Sequence, residues 1–281
     1  MEPIKKIKAI KIANQQNRYI EDFVSVEEPL EIRLVYGSTE DRQKKSVSIT
    51  MRTPGDDENL ALGFLKNEGI IRDVKDVLKS AFQTFHKGEL NSNIITIHLH
   101  PEVNLHTFSL ERNFYTTSSC GLCGKASIEA VQNIGIPHLQ IIPAVIDISM
   151  LLTLPDRIRE NQPSFAATGG LHAAALFDSK GRILHVAEDV GRHNAMDKLC
   201  GWILRHDSHI DLTRNILVLS GRTSFELIQK AAFTGIPVVC AVGAPSSLAI
   251  ETAEAANITL TGFTKTSGAN IYTHAERISG L

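Results

Sequence analysis

The sequence predicts an α/β protein, with a C-terminal domain built on a partly parallel sheet and a smaller N-terminal α+β lobe ahead of it. From about residue 116 onward, helix-period and strand-like runs alternate, a pattern that implies a sheet with a parallel portion covered by helices. Ahead of that series, β-rich runs come first and a single helix pattern follows them, which reads as a smaller α+β lobe that opens with a hairpin. The chain has 281 residues, 43% hydrophobic and 21% charged. It is long enough to bury a large core as two unequal lobes, expected at residues 1–115 and 116–281.

In chain order, "FVSVEEPLEIRLVYG" and "KKSVSITMRTPG" are strand-like runs separated by the polar "STEDRQ", a hairpin with a long turn. "PGDDENLALGFLKNEGII" is a helix, with acids in its first turn, Leu60, Phe64 and Leu65 at helical spacing and Gly69 as its stop. "NIITIHLH" alternates as a half-buried strand. A polar connector over residues 101–119 ends at two cysteines, and "CGKASIEAVQNIG" is a helix closed by Gly135. "DISMLLTLPDRIRENQ" is a second helix with Pro155 at a kink. "LHAAALFDSKGRILHVAED" is a hairpin turning at Ser179, Lys180 and Gly181. The helix "RHNAMDKLCGWILRHD" follows. The strands "NILVLSG", "PVVCAVG" and "ITLTGFT" then alternate with helices over residues 224–234 and 246–256. There is no fixed-period repeat and no low-complexity tract.

The formal charge of −2 supplies no overall positive field for duplex nucleic acid. The basic N-terminal run "MEPIKKIKAIKIANQQNRY" interrupts its apolar residues with lysine, so it lacks the apolar segment of a secretory signal. No run approaches the roughly 18 apolar residues of a membrane span. The expected location is the cytoplasm. Among the four cysteines, Cys200 and Cys240 sit in apolar runs and read as small buried hydrophobes.

The chemistry centres on "TSSCGLCGK", where Cys120 and Cys123 open a predicted helix. A structural zinc site wants a second ligand pair, and no other C-x-x-C exists; His98 and His100 read as polar residues on a solvated strand face. A zinc nucleobase deaminase combines a cysteine pair with H-x-E. Here H-A-E occurs at His274 to Glu276, after the cysteines rather than before them, and Ser119 stands where that signature has proline. No zinc is expected. A dithiol at a helix start has a lowered thiol pKa. Its polar, Gly and Ser-rich approach suits a cysteine that accepts sulfur as a persulfide and carries it, with the neighbouring thiol assisting release.

Other stretches read as ligand loops at the ends of predicted strands, where αβ sheets present their crevices. "ATGGLH" offers close backbone approach at Gly169 and Gly170, with Thr168 and His172 as polar contacts. "EDVGRHNAMDK" gathers Glu188, Asp189, Arg192, His193, Asn194, Asp197 and Lys198 around Gly191. There Arg192 and Lys198 could hold a phosphate, and Asp189 or Glu188 an amino-bearing base edge. "LSGRTSFELIQKA" places Gly221, Arg222, Thr223 and Ser224 at a helix N-terminus, a natural anion site. The P-loop spacing is absent, so ATP hydrolysis has no support. "AVGAPSSLAIETA" repeats the pattern at Gly243 to Ser247, where a plain cap at Ser246 is an equal explanation.

Taken together, "EEPLEIRL", "MRTPGDDENLALGFLKNEGII", "SSCGLCGK", "TGGLH", "EDVGRHNAMDK", "SGRTSFE" and "GIPVVCAVGAPSSLA" resemble, in that order and over nearly the whole chain, the formate dehydrogenase accessory sulfurtransferases. The resemblance implies a cytidine-deaminase-like three-layer core without the deaminase zinc. It also implies a protein that takes sulfur from a cysteine desulfurase. That sulfur passes to the molybdenum cofactor, a bis(molybdopterin guanine dinucleotide), before the cofactor serves formate dehydrogenase. By position, the persulfide falls on Cys120 with Cys123 beside it. The family's cofactor-binding stretch falls on Phe263, Thr264, Lys265, Thr266, Ser267 and Gly268, whose lysine and hydroxyls suit phosphate or guanine groups. A homodimer is implied by the resemblance alone. The competing expectation is a non-catalytic chaperone that holds the cofactor or the apo-dehydrogenase and has no need of paired thiols.

Overall fold

The computed structural model describes residues 2–84, 90–103, 136–139, 146–206 and 210–281. Cys120, Cys123, the helix expected after them and the 115/116 boundary lie outside the described residues.

The chain begins with a ribbon of two antiparallel strands, β1 (Ile4–Ala13) and β2 (Gln16–Ser25). Asn14 and Gln15 turn between them at φ 52° and 61°, the positive values a two-residue hairpin turn requires. No strand is expected in this segment from its sequence, whose isoleucines and lysines fall on both faces of β1.

Next, β3 (Glu28–Tyr36) and β4 (Gln43–Arg52) form the expected hairpin. Helix α1 (Asp57–Asn67) follows, then β5 (Val77–Thr84) and β6 (Leu90–Leu99), giving a four-stranded sheet of order β4-β3-β6-β5. Alternate residues Leu30, Ile32 and Leu34 of β3 point inward and meet Leu60 and Leu65 of α1, as a period-two strand under a 3.6-period helix must.

The second half is a six-stranded mixed sheet. Its hairpin, β8 (His172–Phe177) and β9 (Ile183–Asp189), leads through α5 (Arg192–His206) to β10 (Ile216–Leu219). Then come α6 (Phe225–Thr234), β11 (Val238–Ala241), α7 (Ser247–Ala255), β12 (Thr259–Lys265) and β13 (Gly268–Thr273). The spatial order is β13-β12-β11-β10-β8-β9, with β10, β11 and β12 parallel. Leu217, Leu219, Val239, Ala241 and Leu260 face α5 to α7. The alternate residues Ile216, Val218, Val238 and Cys240 face the other side.

That other side is covered by α2 (Ile148–Leu151) and α3 (Leu154–Glu160), with the small parallel pair β7 (Ile146–Asp147) and β14 (Ile278–Ser279). The single helix expected over "DISMLLTLPDRIRENQ" is therefore two helices. Pro155 lies at the first turn of α3, where its missing N–H has no intrahelical partner to lose. A short helix, α4 (Pro163–Thr168), runs into the first two residues of the stretch read as a ligand loop, and Gly169 ends it at φ 67°.

The two sheets meet through α1 and α5, which cross with almost no side chain between them. A Cβ at Gly63 would lie 1.8 Å from the carbonyl oxygen of Asp197, and one at Gly201 would lie 1.9 Å from that of Asn59. Leu204 of α5 belongs to the same buried cluster as the β3 and α1 residues.

Gly201→Ala provides a signed test. In a free helix alanine is about 1 kcal/mol better than glycine, whereas overpacking costs about 1–3 kcal/mol or more. Urea denaturation should show Gly201→Ala destabilised; a stabilised variant would mean the helices do not cross this closely.

Candidate cofactor crevice

The parallel strands β10, β11 and β12 end at one edge of the sheet, and the antiparallel hairpin presents the start of β8 and the end of β9 at the same edge. Backbone bonds lace these ends together. The Ser220 amide donates to Ala173 O at 3.0 Å, Gly243 to Gly221 O at 3.1 Å, Thr223 to Ala244 O at 3.1 Å and Phe263 to Gly243 O at 3.2 Å. The Ser220 hydroxyl accepts from the Ala173 amide at 2.8 Å. The fold thus brings the expected loops around His172, Arg192, Arg222, Gly243 and Phe263 to one place, although they are far apart in sequence.

Two glycines keep the floor open. A Cβ at Gly243 would lie 2.7 Å from the Arg222 amide nitrogen, and one at Gly221 would lie 3.2 Å from His172 Nδ1. Above this floor α6 begins without a side-chain cap, because the Ser224 hydroxyl makes no capping bond and faces His193 Nε2 at 3.3 Å. Orphan amides at such a helix start favour an anionic group. Among the described residues the buried Thr223 hydroxyl has no hydrogen-bond partner, and neither does Arg192 Nε. A buried polar atom without a partner is costly, so these atoms suit a ligand or water completing the site. Arg222 is exposed at the rim.

His193 Nε2 lies 2.8 Å from Glu226 Oε2, both side chains largely buried. Glu226 is a residue the sequence reading passed over as helix interior; its position in the first turn after Ser224 was the available signal. Burial lowers the pKa of half-buried His172, and the nearby charges of Arg192 and His193 lower it further.

The structure corrects several expected contacts in "EDVGRHNAMDK". Asp189 is fully buried. Its carboxylate accepts from the amides of Thr53 at 3.1 Å and Gly191 at 2.9 Å and from Asn194 Nδ2 at 3.1 Å. It also pairs with Lys198 Nζ at 2.8 Å, so no lone pair faces a base edge. Lys198, 2% exposed, donates to Thr53 O and Glu188 O and cannot meet a phosphate. Asn194 donates to Met51 O at 2.7 Å and accepts from the Thr50 hydroxyl. The Glu188 carboxylate receives the Ser164 and Phe165 amides at the start of α4. Thr168 is also used locally, donating to Ser164 O and accepting from Gly170.

In the β12–β13 turn, Thr264 is buried with its hydroxyl 3.1 Å from that of Thr261, which removes it from the set of ligand-facing hydroxyls. Lys265, Thr266 and Ser267 are exposed. Lys265 pairs with Gly268 across the turn, and Gly268 holds φ 150°. Phe263 sits at φ 52°, a left-handed conformation uncommon for a bulky residue, and presents a half-exposed ring beside Gly243.

Elsewhere, His274 Nδ1 lies 2.9 Å from Glu276 Oε1, so H-A-E is a local side-chain contact at the end of β13. Among the described residues no cluster of three or more His, Cys, Asp or Glu side chains could hold a metal ion. Cys200 and Cys240 are fully buried, and burial pushes the Cys240 thiol up to about 11, which leaves it inert as a nucleophile. A separate cleft of about 380 Å³ is lined by Arg52, Pro54, Asp56, Asp57, Glu58 and Arg205. Its two cations are already paired, Arg52 with Asp57 at 2.8 Å and Arg205 with Glu58 at 3.2 Å, and Asp56 adds a further carboxylate, so it offers an anion less than the sheet edge does.

A family model described as the FdhD/NarQ family matches residues 25–279. A protein of Streptomyces coelicolor named sulfur carrier protein FdhD is 47% identical over 262 residues, 92% of this chain and 89% of that one. A protein of the same name from Sulfurisphaera tokodaii is 39% identical over 277 residues, 98% and 99% of the two chains. The crystal structure of a formate dehydrogenase accessory protein from Desulfotalea psychrophila superposes with a TM-score of 0.70 at 20% identity, covering 99% of this chain and all of that one. That likeness supports the mixed α/β fold.

His172 should stay neutral to a lower pH than an ordinary imidazole, near 6.5. Because the unfolded chain then binds more protons than the folded one, this site contributes stability that is lost as the pH falls through and below 6.5. An NMR titration should give a depressed His172 midpoint that rises in Arg192→Ala. An ordinary midpoint unmoved by that change would show that the two side chains do not share the crevice.

Proposed function

The chain belongs to the FdhD/NarQ family, and on that premise we propose that it is a sulfur carrier for the molybdenum cofactor of formate dehydrogenase. It takes sulfane sulfur from a cysteine desulfurase on Cys120. The bis(molybdopterin guanine dinucleotide) cofactor, its cargo, is received at the crevice on the sheet edge. The observation that carries the reading is the match to curated sulfur carriers over nearly the whole chain. The helix start that Ser224 leaves without a side-chain cap, next to Arg222 in sequence, supports it independently.

Loading of Cys120 is redox-neutral and needs no metal, whereas a dithiol reductant must reopen any disulfide left after release. A Cys120 thiolate attacks the terminal sulfur of the desulfurase persulfide, the donor's S–S bond breaks, and the donor cysteine leaves as a thiolate. The sulfur then resides on Cys120 as a persulfide. Attack by the Cys123 thiolate on Cys120 Sγ would expel hydrosulfide and leave a disulfide, a balanced route for release.

The residues of the crevice fit a phosphorylated cargo. The amides at the start of α6, the Ser224 and Thr223 hydroxyls and Arg192 would receive pyrophosphate oxygens, with Arg222 and Lys265 at the rim. Asp189 and Asn194 support these groups from beneath and do not touch the cargo. Without Asp189, preference for guanine rests on donors to its O6, where adenine presents an amino group instead. Gly169, Gly170 and the Phe263 ring complete the walls.

The hairpin β8–β9 followed by three parallel strands supports the cytidine-deaminase-like reading of the core, in which His193, Ser224 and Glu226 stand together at two helix starts. No described helix is long and apolar enough to cross a membrane, and the reading places the work in the cytoplasm.

Incubation with a cysteine desulfurase and cysteine should add one sulfur to the intact mass, mapped to Cys120. Loss of the adduct in Cys123→Ser but not in Cys120→Ser would reverse the roles, and no adduct at all would favour the chaperone. Calorimetry should show GDP bound more tightly than ADP. Arg222→Ala or Lys265→Ala should lose roughly 1.5–3 kcal/mol, about 10- to 150-fold. Equal binding of both nucleotides, or mutants matching the wild type, would place the cargo elsewhere.

A further inference from the structure

Helices α6 and α7 start from the same local design, and only one of them is capped by its serine. α6 follows β10 with Ser224 at the cap position, and α7 follows β11 with Ser246 at the cap position. Their backbones are nearly alike, φ −96° and ψ 166° at Ser224 against φ −82° and ψ 162° at Ser246. The Ser246 hydroxyl accepts from the Ala249 amide at 3.2 Å, the usual cap. The Ser224 hydroxyl makes no capping bond, and the corresponding Leu227 amide bonds the Ser224 carbonyl at 3.1 Å instead. Backbone conformation does not explain the difference, so the side-chain neighbours must.

Those neighbours are His193 and Glu226. His193 Nε2 lies 3.3 Å from Ser224 Oγ and 2.8 Å from Glu226 Oε2. A carboxylate only accepts, so the hydrogen sits on Nε2, shared between Glu226 and the Ser224 oxygen. A hydroxyl that accepts from the ring keeps its own hydrogen to donate, which suits an anionic group rather than a helix amide. The Glu226 side chain is 8% exposed, and among the described residues its Oε1 has no hydrogen-bond partner. A carboxylate so placed costs stability. Its charge also competes with any anion at the same helix start. What this carboxylate does hold is the His193 ring.

We propose that Glu226 is a positioning residue for cargo binding: it holds His193 Nε2 against Ser224, and His193 in turn keeps the Ser224 hydroxyl from capping α6. The helix start then stays open for a phosphate of the cargo, beside the buried Thr223 hydroxyl, which has no partner among the described residues. At α7 the Ser246 hydroxyl fills the matching place, so of the two helix starts only that of α6 can take the anion. The proposal rests on the reading of this crevice as the cargo site.

Amide exchange followed by NMR without ligand, and calorimetry with GDP, test it on the full chain. Freed by Glu226→Ala or by His193→Ala, Ser224 should cap α6 and slow exchange at Leu227. GDP binding should weaken about fivefold, the worth of one helix cap. Adding Ser224→Ala to either variant should reverse both effects, although Ser224→Ala alone weakens binding by removing a donor. Glu226→Gln, whose amide oxygen still accepts from Nε2, should bind GDP at least as well as the wild type. Exchange at Leu227 that neither single variant slows would overturn the proposal. So would GDP binding unchanged or tighter in Glu226→Ala, the result that loss of a negative charge alone gives, or no recovery on adding Ser224→Ala. If exchange follows the prediction but the wild type binds no GDP, the hold of Glu226 on Ser224 stands and the cargo reading fails. Circular dichroism of each variant separates loss of binding from loss of fold.

Discussion

The buried pair Asp189 and Lys198 holds the molecule in the form described. Two charges removed from water at a separation of 2.8 Å are tolerable only when every remaining donor and acceptor is matched, and here they are. Asp189 also gathers the Thr53, Gly191 and Asn194 donors, and Lys198 reaches the carbonyls of Thr53 and Glu188. Thr53 follows β4 of the N-terminal sheet, whereas Asp189, Gly191 and Lys198 belong to the second half. One network therefore fixes how the two sheets meet and shapes the turn that presents Arg192 and His193.

The crevice follows from that placement and from topology. Parallel strands end with their carbonyls at one edge and feed helices whose amides open there, so ligands collect at this edge in αβ sheets. Gly221 and Gly243 keep side chains out of the floor, while the neighbouring positions Arg222, Thr223 and Ser224 supply the chemistry. The close crossing at Gly63 and Gly201 has the complementary role. It lets α5 be covered by α1 without disturbing the α5 N-terminus, where His193 meets Ser224 and Glu226.

Much of this architecture was legible in the sequence, because strand alternation and helix periodicity are local. The β10-α6-β11-α7-β12 series and the β8–β9 hairpin fall where the patterns put them. The ribbon was obscured by its lysines, which lie on both faces of β1 and leave no apolar alternation to read. Pro155 was read as a kink because a sequence cannot tell an interior proline from one that starts a new helix. Gathering of the crevice loops was legible as a set of strand ends. The division of labour within "EDVGRHNAMDK" was not. A dense run of ionisable residues signals that charges are needed there, but only tertiary packing decides that Asp189, Asn194 and Lys198 turn inward to Thr53 while Arg192 and His193 turn toward the edge. Thr264 was misjudged for the same reason, since strand parity beyond a bulge is not readable from composition.

The central claim is that cargo is received at the edge where β10, β11 and β12 end. Hydrogen–deuterium exchange with and without saturating GDP tests it directly. The account predicts slowed exchange at residues 220–227, 243–247 and 262–268, with the cleft around Arg52 to Asn59 and Arg205 unchanged. Protection confined to that cleft, with the sheet edge unaffected, would contradict it.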